Sequence, residues 1–563
     1  MGIAKLNLAT WILCAALLIV VLSYPTGGEG NLPPAASQAE TTTATAVNRS
    51  NARKYDLVFS TYLGGTGTDT IRGVCADKQG NIIVAGGTTS PDFPTTANAL
   101  SRTYNAGKMG TSTGDFGPMD AFVSKFDSAG HLLWSTYLGG PNYDRAYAVK
   151  TDPRGYIYVA GRAGEGFPVT PGAFQPHFVD THQNPKSTMA YGKQNGFVAK
   201  LAPNGKLLWA SYVGSGQLCR DIAVDDRGDI YLPSGWNGSG DTPPSRWFAH
   251  GFQKMPKGKA NPAGASAYVC ILKVKSDGSE VLWGTWLNGS GINNIEAFVG
   301  VDPNRNVYYA DFTSSTDMPL SAQGRKYAGG HHDLYLAKLS PDGSRLLYGT
   351  YLGGSGDEEY DTHSLAMDSH GNAYVSGVTS SVDLPVTPGA FQPKHAGGDT
   401  DVMIFKVGPR GDLLACTYLG GSKNEDTEGL SVDSAGNVYV SGQTHSPDFP
   451  TTSGAYQSAY GNSSGNHDGD GFLTVLSSDL KTVRYSTYMG QQCAVTGQNA
   501  YGGFHDNCLG PDGSVVVAGN WFSNLWPTTT NAFLSAFKPG ISALPNHAVL
   551  ASFKPVANER NSE

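Results

Sequence analysis

Residues Ser60–Gly65 read Ser-Thr-Tyr-Leu-Gly-Gly, and the chain returns to this phrase throughout its length. It recurs whole at Ser135–Gly140 and shortened at Thr350–Gly354 and Thr417–Gly421. Variants stand at Ser211–Gly214, Thr285–Asn288 and Ser486–Gly490. The central aromatic is Tyr62, Tyr137, Tyr212, Trp286, Tyr351, Tyr418 and Tyr488 in turn, a spacing of ~65–75 residues that marks one repeat array rather than unrelated domains.

Each repeat holds four strand-like pieces, clearest in the second: Ala146–Lys150, Tyr156–Gly161, Gly196–Leu201 and Lys206–Val213. A tight turn joins the first two pieces, as in Asp77–Gly80, Asp152–Gly155, Asp225–Gly228, Asp368–Gly371 and Asp433–Gly436. Asp at the start of such a turn caps backbone N–H groups, and Gly at its end accepts positive φ. Short turns such as Asp127–Gly130 and Asp342–Gly343 join the last two pieces, while long variable loops (90–119, 236–266) separate the second from the third. Four antiparallel strands repeated seven times predict an all-β, seven-bladed β-propeller. The seventh set, Ser514–Gly519 followed by Ala548–Phe553, has no fourth strand of its own, whereas Asp56–Leu63 has no blade before it. Pairing that N-terminal strand with the last blade closes the ring and removes two open sheet edges.

Composition agrees. Of 563 residues, 15% are charged, 10% are aromatic and 73 are Gly, a turn-rich β composition. A net charge of −8 gives no basic footprint for nucleic acid. Residues 1–24 carry an apolar run from Leu8 to Tyr24 that reads as a secretory signal peptide or an N-terminal membrane anchor. Residues 25–54, rich in Thr, Ala, Ser and Pro, read as a disordered spacer; 55–555 form the propeller and 556–563 a C-terminal tail. The expected setting is therefore exported: extracellular, cell-surface or outer-envelope, with a membrane tether through 8–24 if that segment is retained. Cys493 and Cys508 fall within one repeat and are the candidate disulfide, while the other cysteines of the propeller read as small buried residues.

The phrases Ser-Thr-Tyr-Leu-Gly-Gly, Val432–Gly442, Ser446–Thr452, Pro171–Gln175 and Pro388–Gln392 resemble the bacterial SBBP (seven-bladed β-propeller) repeat family. The resemblance runs from Tyr55 to about Lys554, closest in blades five and six, with departures at Ser234–Trp236 and across 491–507. It implies an exported or cell-surface propeller and supplies no catalytic residues.

In an antiparallel blade the tight turns leave on one face and the long loops on the other, which makes the long-loop face the expected working surface. Five residues ahead of each turn stand Arg72, Tyr147, Arg220, Ala297, His363, Glu428 and His505, the polar ones forming a candidate ligand-binding ring at the mouth of the axial channel. Asp69, Asp144, Glu358, Asp361, Glu425 and Asp426 add carboxylates that could hold a divalent cation such as calcium. Asn466–Gly471 opens like a calcium loop, but Ser477 stands where the closing Glu belongs, so Asp470 reads as a strand-leading residue. Lys125, Lys200, Lys273, Lys338 and Lys406, one in each of the first five repeats on the third strand, read as solvated or snorkelling. Trp134, Trp209 and Trp283 are similar to blade tryptophans of quinone-dependent dehydrogenases, yet no His-Glu-x-x-His or phosphate loop is present.

The function expected from sequence is a monomeric binding or scaffold module whose long loops engage a protein, a glycan or another envelope component. The weaker alternatives are a hydrolase, lyase or quinone oxidoreductase acting at the axial mouth, and a purely structural surface protein.

Overall fold

A computed structural model of the chain describes residues 54–106, 119–179, 194–215, 218–236, 243–258, 268–291, 297–359, 363–461, 469–490, 503–522, 525–536, 538 and 546–556. The apolar run at 8–24, the spacer up to 53 and Cys493 lie outside these residues. Among the described residues no helix is long and apolar enough to cross a membrane.

The described strands form seven antiparallel sheets of four strands, the fifth with its innermost strand in two pieces. Blade 1 is Asp69–Ala76, Ile82–Thr88, Asp120–Phe126 and Leu132–Leu138. Blades 2 to 6 repeat this order, with first strands at Asp144–Thr151, Ala223–Val224, Phe298–Val301, Glu358–Glu359 plus Leu365–Met367, and Glu425–Val432. Blade 7 takes Gly503–Leu509, Val515–Trp521 and His547–Pro555 from the C-terminal end and Tyr55–Leu63 from the N-terminal end. The two ends pair from Tyr55 opposite Pro555 to Leu63 opposite Ala548, so the ring closes as the orphan strand requires.

The core lies between blades. Seven apolar clusters each span one blade-to-blade interface, as where Cys75, Ile83, Val123 and Trp134 of blade 1 meet Ala146, Val149, Val159 and Phe197 of blade 2. Because each strand has a neighbouring blade on both faces, strands such as Ile82–Thr88 and Asn195–Leu201 are buried at every position.

The repeated phrase earns its place through its tyrosine. The Tyr137 hydroxyl donates to Ser90 O (2.7 Å) and accepts the Phe93 N–H (3.2 Å), latching the base of the long loop onto the outermost strand. Tyr212 does the same with Gly164 O and the Phe167 N–H, and Tyr418 with Ser381 O and the Leu384 N–H. Phe93, Phe167 and Phe449 pack their rings onto Phe122, Phe197 and Phe472 beneath those loops.

The third-strand lysines depart from the solvated reading. Lys125, Lys273 and Lys338 are buried and pair with the turn carboxylates Asp77 (2.8 Å), Asp225 (3.3 Å) and Asp302 (3.3 Å). Lys200 and Lys406 reach instead to the carbonyls of Ser276 and Ser478 in the neighbouring blade. The turn Asp gathers several N–H donors at once, and a cation over its remaining oxygen completes the charge balance.

Candidate functional site

A β-bulge explains the axial ring. The register of the first and second strands slips at Arg72 in blade 1, Tyr147 in blade 2, Glu428 in blade 6 and His505 in blade 7. A bulge leaves one residue outside the ladder and re-aims its side chain, and here those side chains meet at the axis. In blade 5 the same position is His363, held at φ 58° where the innermost strand breaks.

The structure brings all six predicted ring residues together, and they are spent on one another. Arg72 Nη1 lies 3.2 Å from Glu428 Oε2 and 2.7 Å from His505 Nδ1, with Glu428 Oε1 2.8 Å from the same imidazole. Burial, reinforced by Arg72, pushes the His505 pKa down. His363 crosses the axis, its Nε2–H shared between Arg72 O (2.8 Å) and Tyr147 O (2.9 Å). Tyr147 sits under four guanidinium groups: Arg162, Arg145 and Arg220 lie 5.0–5.1 Å from its ring centre and Arg72 lies 5.6 Å away. Burial alone would raise this phenol; the four cations outweigh it and hold the pKa at about 7. Arg145 and Arg162 face each other across the first two strands of blade 2. They stand in one blade only, so no repeat register marks them in the sequence.

The result is a plug. The void bordered by Asp426, Glu428, Gln443, Phe504 and His505 is about 10 Å³, room for a single water.

The carboxylates expected as a converging cation site are instead consumed blade by blade. Asp69 accepts the Gly65 N–H (3.0 Å) and the Ser90 hydroxyl (2.9 Å), and Asp144 accepts the N–H groups of Gly140 (2.6 Å) and Gly164 (3.1 Å). Glu358 accepts from Gly354, Thr379 and Ser381, and Glu425 from Gly421 and Thr444. Burial pushes the pKa of Asp69, Glu358 and Glu425 up to about 7. Asp426 lies near Glu428, raised to about 6 by burial first and that neighbour second, and Asp361 lies outside the described residues. Among the described residues no three His, Cys, Asp or Glu side chains gather as a metal site. Cys508 is a free thiol, as are Cys75, Cys219, Cys270 and Cys416. In the calcium-like stretch, Asp470 accepts the Gly461 N–H and the Gln457 amide at the head of the third strand.

Below the plug the axis opens. A cavity of about 420 Å³ is lined by the C-terminal ends of the seven innermost strands. At its rim stand Thr151, Val224, Val301, Met367, Val432 and Leu509, each immediately before a tight turn and each half-buried. At its floor, just beneath the plug, are Lys150, Asp221, His363 and Asp506. Asp221 and Asp506 also stitch blades together, accepting the N–H groups of Val299 (3.1 Å) and Val74 (2.8 Å). Lys150 escaped the sequence reading. Its signal was a ring two residues ahead of the turns: Cys75, Ala223, Gly300, Ala366, Ser431 and Cys508 are all small there, and Lys150 alone is long and charged.

Comparison with known proteins places the chain in a class. The beta-propeller repeat model (SBBP) matches residues 58–94, 133–168, 347–385 and 417–450. The protein is a seven-bladed propeller, and four stretches of it match the SBBP repeat. A search of the curated proteins finds no match. Among solved structures it is similar to a polysaccharide lyase (PL25, an ulvan lyase; 11% identity, 81% of this chain and 92% of that one, TM-score 0.38). It is also similar to a quinohemoprotein alcohol dehydrogenase from Pseudomonas putida (11%, 92% and 78%, 0.40) and to a protein of unknown function from Dyadobacter fermentans (12%, 89% and 100%, 0.40).

Proposed function

We propose that this protein is an exported, non-catalytic binding platform whose long-loop face engages a protein or glycan of the cell envelope. One observation carries the reading: the described long loops leave on the same face and are latched at their bases by the recurring tyrosine. Loops on such a base can vary in sequence without disturbing the interfaces that hold the ring. Acid, base and imidazole groups do converge at the axis, as an enzyme would need, but Arg72, Glu428 and His505 are bonded to each other. Export rests on the apolar run at 8–24.

The test compares the intact propeller with a variant lacking residues 107–118, measuring binding to purified envelope glycan and to envelope protein fractions. The shortened variant is expected to keep its melting temperature and to lose at least tenfold in affinity for one of the two. Equal binding by both proteins, or binding by neither, would overturn the reading.

A further inference from the structure

The funnel on the tight-turn face holds a set of groups that the ring does not satisfy. His363 is 5% exposed, and its Nε2–H is committed to two carbonyls, which leaves Nδ1 as an acceptor. That Nδ1 has no hydrogen-bond partner and lies 3.9 Å from Asp221 Oδ1, an acceptor that already takes the Ile222 N–H (2.8 Å) and has a further lone pair. Burial drives the His363 pKa down to about 4, so no proton on Nδ1 fills the gap. Two acceptors at that separation call for a donor with more than one hydrogen lying off the line between them, as an ammonium group does.

Lys150 poses the complementary demand. Among the described residues its ammonium makes no ion pair and no side-chain hydrogen bond, yet it lies in the field of Asp506 and Asp221. Burial would lower its pKa, and the two carboxylates outweigh burial and raise it. A lysine held charged is a binding group for an anion rather than a nucleophile, which would need the opposite shift. Above this floor the walls are aliphatic: Val224, Val301, Leu365, Met367, Val432 and Leu509.

We propose that the funnel binds a free aliphatic α-amino acid, its ammonium on Asp221 and His363, its carboxylate on Lys150 and its side chain along the aliphatic wall. The ligand's ammonium meets Asp221 and its carboxylate meets Lys150, with Asp506 as a second carboxylate beside Lys150, in a partly dehydrated floor where such charge-assisted bonds are strongest. A bare metal ion fits poorly, because Lys150 is already there and, among the described residues, no third ligand joins Asp221 and His363. A pyranose fits poorly as well, since no Phe, Tyr or Trp lines the cavity. The site is independent of the long-loop platform, being on the opposite face, so either reading can fail without the other.

The test is calorimetric titration of the full chain with L-leucine and L-methionine up to 10 mM. L-leucinamide, which lacks the carboxylate, and 4-methylpentanoate, which lacks the ammonium, serve as controls. Saturable binding of the amino acids is expected, with both controls at least tenfold weaker. Lys150→Met is expected to lose at least tenfold in affinity. Ala366→Leu, which narrows the small-residue ring without altering any charge, is expected to do the same and keeps the test decisive if the lysine variant does not fold. No binding of either amino acid, binding that ignores the carboxylate or the ammonium, or binding that survives in a folded variant of either kind would each overturn the proposal.

Discussion

At the scale of single residues, Tyr147 shows how far the ring bends ordinary chemistry. Other tyrosines in the blades, such as Tyr62, Tyr212 and Tyr418, are pushed up to about 12 by burial. Tyr147 is as buried as these, but it faces Arg162, Arg145, Arg220 and Arg72, and that positive field brings its phenol down to about 7 against the burial cost. Phenolate is then the stable partner for a crowded set of guanidinium groups that Glu428 alone does not neutralise. One tyrosine should consequently ionise between pH 6 and 8 in a titration followed at 295 nm. Tyr147→Phe should abolish that step. A flat trace from pH 6 to 8 in the unaltered protein would refute the assignment. The ring position itself could be read from sequence because every blade counts back the same five residues from its turn, and the bulge keeps that count constant. Tyr147's partners Arg145 and Arg162 could not, since their meaning depends on a contact made in one blade only.

At the scale of strands and turns, the joints between blades repeat one device. Trp134, Trp209 and Trp283 donate their indole N–H to Pro203 O (3.0 Å), Ser276 O (3.2 Å) and Pro341 O (3.2 Å) in the tight turn of the next blade. Each indole also lies flat against that turn's glycine, Gly205, Gly278 or Gly343. These glycines are left-handed, and a Cβ on Gly278 would come within 2.4 Å of Trp209. Gly172 is also left-handed, at φ 83°, but a Cβ there would meet nothing within 4 Å. Gly172→Ala should therefore cost only the backbone term, about 1–2 kcal/mol. Gly278→Ala should add the displacement of a packed indole, a further ~1–3 kcal/mol. Urea denaturation of the two variants measures the difference; equal losses would show that the glycine serves the turn and not the joint. Turn and strand were legible because Asp-x-x-Gly and alternating apolar residues dictate local geometry. The joint was not, because tryptophan and glycine are ~70 residues apart and nothing local ties them. The third-strand lysines were misread for the same reason: Lys125 looks like a surface residue until Asp77, two strands away, is placed over it.

For the whole molecule, everything depends on the ring having no free end. Tyr55–Leu63 is the one strand whose blade lies at the far end of the chain, and it contributes Tyr55, Phe59, Tyr62 and Leu63 to the core at 0–4% exposure. Burying four such side chains is worth about 6–12 kcal/mol at 1.5–3 each, comparable with the about 5–15 kcal/mol that holds an entire domain. Losing the strand also exposes the edge of His547–Pro555 and frees the loop that Ser60 and Thr61 hold through Thr529 and Leu534. A chain beginning at Lys54 retains every strand of the ring and is expected to unfold in one cooperative transition. A chain beginning at Gly64 is expected to melt at least 10 °C lower, over a broader range, and to self-associate through the open edge. Because the missing piece is a strand rather than a fold, a synthetic peptide of residues 54–64 supplied in excess should bind that edge and restore most of the lost melting temperature. If the Gly64 chain melts like the longer one, or if the peptide has no effect on a folded Gly64 chain, the clasp is not what closes the propeller.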